Sequence, residues 1–127
     1  MKETNLPVVL LVEDEVLIRM GMAELLEEAG YAVLEAGDGV GALSTLRNRH
    51  DVAVLITDID LPRMDGLALA EEARRNHPDV HVVLMSGKTY LRTDALPAGM
   101  PFFEKPVGET ELISCVRQLI SSGSSER

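Results

Sequence analysis

Four short stretches of this 127-residue chain carry side chains that can hold or move a charged group. Glu13-Asp14-Glu15 is an uninterrupted acidic triplet. Asp58 closes an apolar run, and Asp60 follows two residues later. Ser86-Gly87 closes another apolar run, and Lys105-Pro106 follows a short third one. Carboxylates brought together repel, and each resists ionisation unless something compensates. A hard divalent cation compensates best, and one or two carboxylates plus waters suit Mg²⁺. A lysine offers a point charge to a phosphate oxygen, and a serine hydroxyl donates to another. Brought together, the set reads as a metal-assisted phosphoryl-transfer site with an aspartate as acceptor.

Each member also has a plain structural reading. The acidic triplet caps the next helix favourably through its dipole. Asp58 serves equally well as a turn residue after a strand. Loop serines are common, and Lys105 beside Pro106 is an ordinary surface charge near a turn. The specific signal is the conjunction: all four stretches fall where apolar runs end.

The positioning elements follow from hydropathy. Val8-Val9-Leu10-Leu11-Val12 reads as a strand buried on both faces. Residues 15–29 read as a helix, with Ile18, Met22, Leu25, Leu26 and Ala29 inward and Arg19, Glu24, Glu27 and Glu28 outward, ended by Gly30. Ala32 to Ala36 is a second strand. Asp38 is placed to cap a helix running to about Arg49. Val52 to Thr57 is a third strand ending in Asp58, and Asp65-Gly66 opens a helix that Pro78 stops. His81 to Met85 is a fourth strand. Residues 88–99 leave room for one short helix, cut early by Pro97 and Gly99. Pro101 to Phe103 is a fifth strand, and a last helix from Gly108 turns Leu112, Val116, Leu119 and Ile120 inward. Strand and helix alternate, which predicts an α/β fold: a parallel sheet with right-handed crossovers and helices on both faces. In such sheets ligands bind beyond the carboxyl ends of the strands, where the four stretches lie.

Composition narrows the partners. The chain is 46% hydrophobic and 26% charged, a globular balance. A formal charge of −9 argues against nucleic acid and anionic membranes as partners, and an aromatic content of 3% argues against base stacking. With Cys115 the only cysteine, neither an intrachain disulfide nor a cysteine-based zinc cluster forms. No apolar run reaches the roughly 18–20 residues of a membrane span. A reducing, cytoplasmic setting is the expectation.

The blocks Leu11-Val12-Glu13-Asp14-Glu15, Ile56-Thr57-Asp58-Ile59-Asp60-Leu61-Pro62 with Met64-Asp65-Gly66, Met85-Ser86-Gly87 and Phe103-Glu104-Lys105-Pro106 occur in this order. The chain thereby resembles the receiver domain of two-component response regulators, over about residues 7–120. The resemblance implies a flavodoxin-like, doubly wound five-stranded sheet in the order 2-1-3-4-5. It implies a phosphorelay component that takes a phosphoryl group onto Asp58, with Mg²⁺, from a phosphohistidine on a histidine kinase or phosphotransfer protein. It also implies a phosphoacceptor rather than a multiple-turnover enzyme.

The family's roles carry over residue by residue. Asp14 would ligate Mg²⁺ directly, Glu13 through water, Asp58 by its carboxylate and Asp60 by its backbone carbonyl. Lys105 would pair with the phosphoryl oxygen, or with Asp58 before phosphorylation. Ser86 would hydrogen-bond the phosphoryl group, and Gly87 would leave room for approach. Phe102 stands at the switch aromatic, with a plain core aromatic as its other reading. The Lys105-Pro106 bond is expected to be cis. Asp60 and Lys88 would modulate dephosphorylation through a contact over the site. Signalling would pass through the face made by the fourth helix, fifth strand and last helix to a downstream protein target.

Ser86 and Lys105 are 19 positions apart, fewer than usual for the family. The fourth helix is therefore expected to be short, displaced or partly unwound, and a monomer or weak dimer is expected. One domain accounts for residues 1–127, with 121–127 as a flexible Ser-rich tail, as in a stand-alone unit. Two rivals fit less well. A haloacid-dehalogenase-type phosphatase shares the Asp58-Ile59-Asp60 spacing but places that strand near its start. A flavodoxin needs a phosphate-cradling first loop, which Glu13-Asp14-Glu15 would repel.

Overall fold

The computed structural model describes residues 6–87 and 96–124. Five strands, β1 (Val8–Val12), β2 (Ala32–Ala36), β3 (Val52–Asp58), β4 (His81–Ser86) and β5 (Phe102–Glu104), form one sheet in the order β2-β1-β3-β4-β5. Every neighbouring pair is parallel. Helices α1 (Val16–Glu28), α2 (Gly39–Asn48), α3 (Gly66–Asn76) and α4 (Glu109–Ser124) complete the described elements. This is the flavodoxin-like order expected. Lys88 and most of the segment expected to hold a further helix lie outside the described residues, so of the expected output face only β5 and the last helix, α4, are described.

Side chains alternate across the sheet with period two, so a strand apolar throughout must be covered on both faces. Val8, Leu10 and Val12 pack with Ala42 and Leu46 of α2 and Leu69, Ala70 and Ala73 of α3. Val9 and Leu11 pack with Ala23 and Leu26 of α1 and Leu112 and Val116 of α4. β3 and β4 divide the same way: Leu55 and Leu84 face the first layer, Ile56 and Met85 the second. Two cores thus clamp the central strands, and their register fixes where the strand ends project.

The helix starts follow local chemistry. Asp38 Oδ1 accepts from Gly41 N at 2.8 Å and caps α2; Asp65 Oδ1 accepts from Leu67 N at 2.9 Å and caps α3. Gly30, at φ 102°, ends α1 in a conformation that a side chain resists.

Two expectations are corrected. Ile18 is 39% exposed, whereas the Arg19 side chain keeps only 18% of its exposure. The inward stripe of α1 runs through positions 19, 23 and 26, so arginine rather than isoleucine takes the inner place in the first turns. At the other end, helical hydrogen bonding in α4 continues through Ser124, past the residue-120 limit read from apolar spacing. A serine-rich turn lacks the apolar repeat but keeps the backbone ladder.

Candidate functional site

Among the described residues four polar side chains are buried: Glu13, Thr57, Asp58 and Ser86. All four lie at the carboxyl edge of the three central strands, and the remaining buried residues are hydrophobic apart from Gly39 and Gly66. Ladder hydrogen bonds hold this edge one residue past the strands. Glu13 N donates to Ala36 O at 3.1 Å, Ile59 N to Met85 O at 2.8 Å and Lys105 N to Ser86 O at 2.8 Å. The backbone carrying each site residue is therefore as fixed as the sheet.

Lys105 stands at the centre. Its Nζ lies 2.5 Å from Glu13 Oε1 and 2.6 Å from Asp58 Oδ2. Burial works against the ammonium, but hydrogen bonds and charge from Asp58 and Glu13 outweigh it and hold the Lys105 pKa above its usual value. The Lys105–Asp58 pairing is as expected. The grip on Glu13 is additional, because that residue was expected to face water and metal. The capping reading of the triplet does not hold as stated: α1 starts after Glu15 with no side-chain cap and no acidic residue in its first turn, and Glu13 Oε2 instead accepts from Glu15 N at 2.9 Å, within the acidic turn ahead of the helix.

Asp58 Oδ1 accepts from Asp60 N at 3.0 Å, so the turn after β3 orients the carboxylate. Gly66 opens α3 directly beneath it. A Cβ at that position would lie 2.1 Å from Asp58 O and 2.6 Å from Ile59 Cα, so the site needs glycine there for space. Ser86 is fully buried, and its Oγ lies 2.7 Å from Asp60 Oδ2. The Asp60 side chain thus engages Ser86; its expected contact with Lys88 lies outside the described residues. Gly87 sits beside Lys105, where an added Cβ would meet Lys105 Cδ at 3.9 Å, an ordinary contact. Phe102 is half-buried and packs against the α2–α3 layer, and the Lys105-Pro106 bond is cis.

The donor set fits a hard cation. One oxygen from each of Glu13, Asp14 and Asp58 lies within 4.8 Å of the others, and Asp14 is exposed. Three carboxylates against one ammonium leave an excess of negative charge that a divalent ion neutralises. All-oxygen ligands with solvent access suit Mg²⁺ rather than a thiophilic metal.

Sequence reasoning missed Arg19. Its Nη1 donates to the Glu13 backbone carbonyl at 2.7 Å, and its Nε donates to Glu35 Oε1 at 3.1 Å. The guanidinium thereby ties the acidic turn to β2. The signal was available: position 19 lies four residues before Ala23 and seven before Leu26, on the inward stripe. A row of exposed apolar side chains beside the site was missed as well. Val16 is 53%, Leu17 82% and Met20 56% exposed, on the α1 surface that follows the acidic triplet.

A buried aspartate, a lysine that reaches it, and an acidic first loop on a 2-1-3-4-5 sheet define a phosphoacceptor class within the doubly wound folds. The chain belongs to the response regulator receiver domain family, whose family model matches residues 9–117. Among curated proteins it is 35% identical over 116 residues to "Sensor kinase CckA" of Brucella abortus (strain 2308), covering 88% of this chain and 12% of that protein. It is also 35% identical over 116 residues to "Transcriptional regulatory protein PdtaR" of Mycobacterium tuberculosis, covering 89% of this chain and 56% of that protein. The chain therefore spans little more than half of one relative and an eighth of the other.

Solved structures agree. A CheY-like receiver domain protein from Methanospirillum hungatei JF-1 superposes with a TM-score of 0.89 at 25% identity, covering 97% of this chain and 100% of that one. The receiver domain of hybrid histidine kinase CckA gives 0.76 at 34% identity, covering 89% and 98%.

Proposed function

We propose that Asp58 accepts a phosphoryl group from a phosphohistidine on a sensor histidine kinase or histidine phosphotransfer protein. The single observation that carries this reading is the Lys105 ammonium bonded to the buried carboxylates of Asp58 and Glu13. An ammonium there neutralises charge on the transferring group without blocking the outer face of Asp58. Oδ1 of Asp58, held by Asp60 N, and Oδ2, held by Lys105, keep the carboxylate ready for in-line attack.

Mg²⁺ would be held by Asp14 and Asp58 directly, by Glu13 through water, and by the backbone carbonyl of Asp60. When bound, it supplies charge neutralisation between the carboxylates and the phosphoryl oxygens. Ser86 is the hydroxyl donor to the phosphoryl group, and Gly87 keeps the approach open. Asp60 and Lys88 tune loss of the group to water. The phosphoryl group adds nearly two negative charges, draws Ser86 toward it and lets Phe102 turn inward, which biases the surface around β5 and α4. A downstream protein reads that surface.

The exposed Val16, Leu17 and Met20 support a protein donor rather than a small metabolite, because they offer an apolar landing beside the acidic turn. Among the described residues no helix is long and apolar enough to cross a membrane. With the lone Cys115, a cytoplasmic setting and a monomer or weak dimer are the readings we favour.

Incubation with acetyl phosphate and Mg²⁺ tests the reading. Intact mass should rise by one phosphoryl group, and Asp58→Asn or removal of Mg²⁺ by chelator should abolish the rise. An unchanged rise in Asp58→Asn would place the acceptor elsewhere.

A further inference from the structure

Ser86 and Asp60 raise a question of proton count. The Ser86 hydroxyl carries one hydrogen, and an ionised carboxylate only accepts. At 2.7 Å from Asp60 Oδ2, that hydrogen is committed to Asp60. The Asp60 side chain is on the exposed side of the edge, while Ser86 is fully buried. Asp60 also reads the acceptor itself, since its backbone N–H lies 3.0 Å from Asp58 Oδ1. One residue thus touches Asp58 through its backbone and Ser86 through its side chain.

We propose that Asp60 is a positioning residue that holds the Ser86 hydroxyl away from the phosphoryl position, so that the Asp60 carboxylate and the phosphoryl group compete for a single hydrogen. This rests on the reading of Asp58 as phosphoacceptor and adds a cost that phosphorylation must overcome. The exchange breaks one hydrogen bond and makes another, with no covalent change: Ser86 Oγ rotates from Asp60 to a phosphoryl oxygen and carries its hydrogen along. Both residues make further contacts, and the competition concerns this hydrogen alone. Lysine at position 105 faces no such choice, because an ammonium has three hydrogens and can serve Glu13, Asp58 and a phosphoryl oxygen together.

Two effects of Asp60 must be separated. Its charge repels an incoming phosphoryl group whatever Ser86 does, whereas the hydroxyl competition needs Ser86. A double-mutant cycle isolates the second. Initial rates of phosphorylation by acetyl phosphate at saturating Mg²⁺, read by intact mass, are compared for the unaltered chain, Asp60→Ala, Ser86→Ala and the double variant. Circular dichroism checks that each is folded. In the Ser86 background, Asp60→Ala should raise the rate about three- to tenfold, the range that corresponds to releasing one hydrogen bond of ordinary net strength. In the Ser86→Ala background the same change should alter it by less than about twofold. Asp60→Asn, which accepts without charge, should fall between.

Equal gains in both backgrounds would overturn the proposal and assign the effect to charge. No gain in the Ser86 background would overturn it as well. Absence of phosphorylation in the unaltered, folded chain would instead sink the phosphoacceptor reading on which the proposal stands.

Discussion

The two arms of the site are built on opposite principles. On one side Lys105 bridges Glu13 and Asp58, with both carboxylates almost fully buried. On the other, Ser86 meets Asp60 on the exposed rim of the edge. The lysine arm has donors to spare and a charge that several partners share, so a phosphoryl group can join without evicting anyone. The serine arm has a single donor and must change partner. One arm is suited to be permanent and the other to switch, and the difference lies in donor number rather than in strength.

The comparison breaks most severely if Lys105 is removed. Lys105→Met keeps the aliphatic stem but leaves Glu13 and Asp58 buried with no ammonium between them. The expected loss is about 2–3 kcal/mol in urea unfolding, below the full cost of breaking a buried pair because Lys105 retains some exposure. Several millimolar Mg²⁺ should stabilise this variant more than the unaltered chain, because the ion then has two uncompensated carboxylates to neutralise. Ser86→Ala removes one hydrogen bond and should cost only about 1 kcal/mol, with no added response to Mg²⁺. Equal losses in the two variants would erase the distinction between the arms.

A smaller effect is expected at Arg19, which holds only the lysine arm. Arg19→Ala frees the Glu13 carbonyl from the guanidinium and unties the acidic turn from Glu35. Outer partners of metal ligands commonly cost tenfold or more in affinity, so the Mg²⁺ concentration for half-maximal phosphorylation should rise about tenfold. The rate at saturating Mg²⁺ and the coupling between Asp60 and Ser86 should stay near their original values. A change in that coupling would show that the two arms are not independent.

The sequence made the architecture legible because β1 is apolar throughout and β3 and β4 carry the unbroken apolar runs Val52-Ala53-Val54-Leu55-Ile56 and Val82-Val83-Leu84-Met85, and such runs need a helix layer on each face. It also made the convergence of Glu13, Asp58, Ser86 and Lys105 legible, because each one ends or directly follows a strand of a parallel sheet. The pairing inside the site was not. Glu13 and Lys105 are separated by 92 positions, and Ser86 and Asp60 by 26. Which carboxylate takes the lysine depends on ångström-level register and rotamers that no spacing rule carries. Arg19 failed for a different reason: a charged residue on an apolar stripe was assigned to solvent by its type, although its position and its length let it reach a backbone carbonyl.

The smallest expected effect is a pH signature that only the lysine arm can show. Asp58 and Glu13 raise the Lys105 pKa in the folded chain above the ordinary value of 10.5. A raised folded pKa contributes stability that is fully present below the unfolded value and fades as pH climbs through the folded one. The stability gap between the unaltered chain and Lys105→Met should therefore stay level from neutral pH up to about 10 and narrow only above 10.5. The serine hydroxyl does not titrate in that interval, so the gap for Ser86→Ala should be flat throughout. Urea unfolding of the three chains across this range reads both gaps. A lysine gap already closing near pH 9 would mean that burial outweighs the two carboxylates at Lys105. Its charge would then be the variable part of the site, and the assignment of permanence to one arm and switching to the other would have to be reversed.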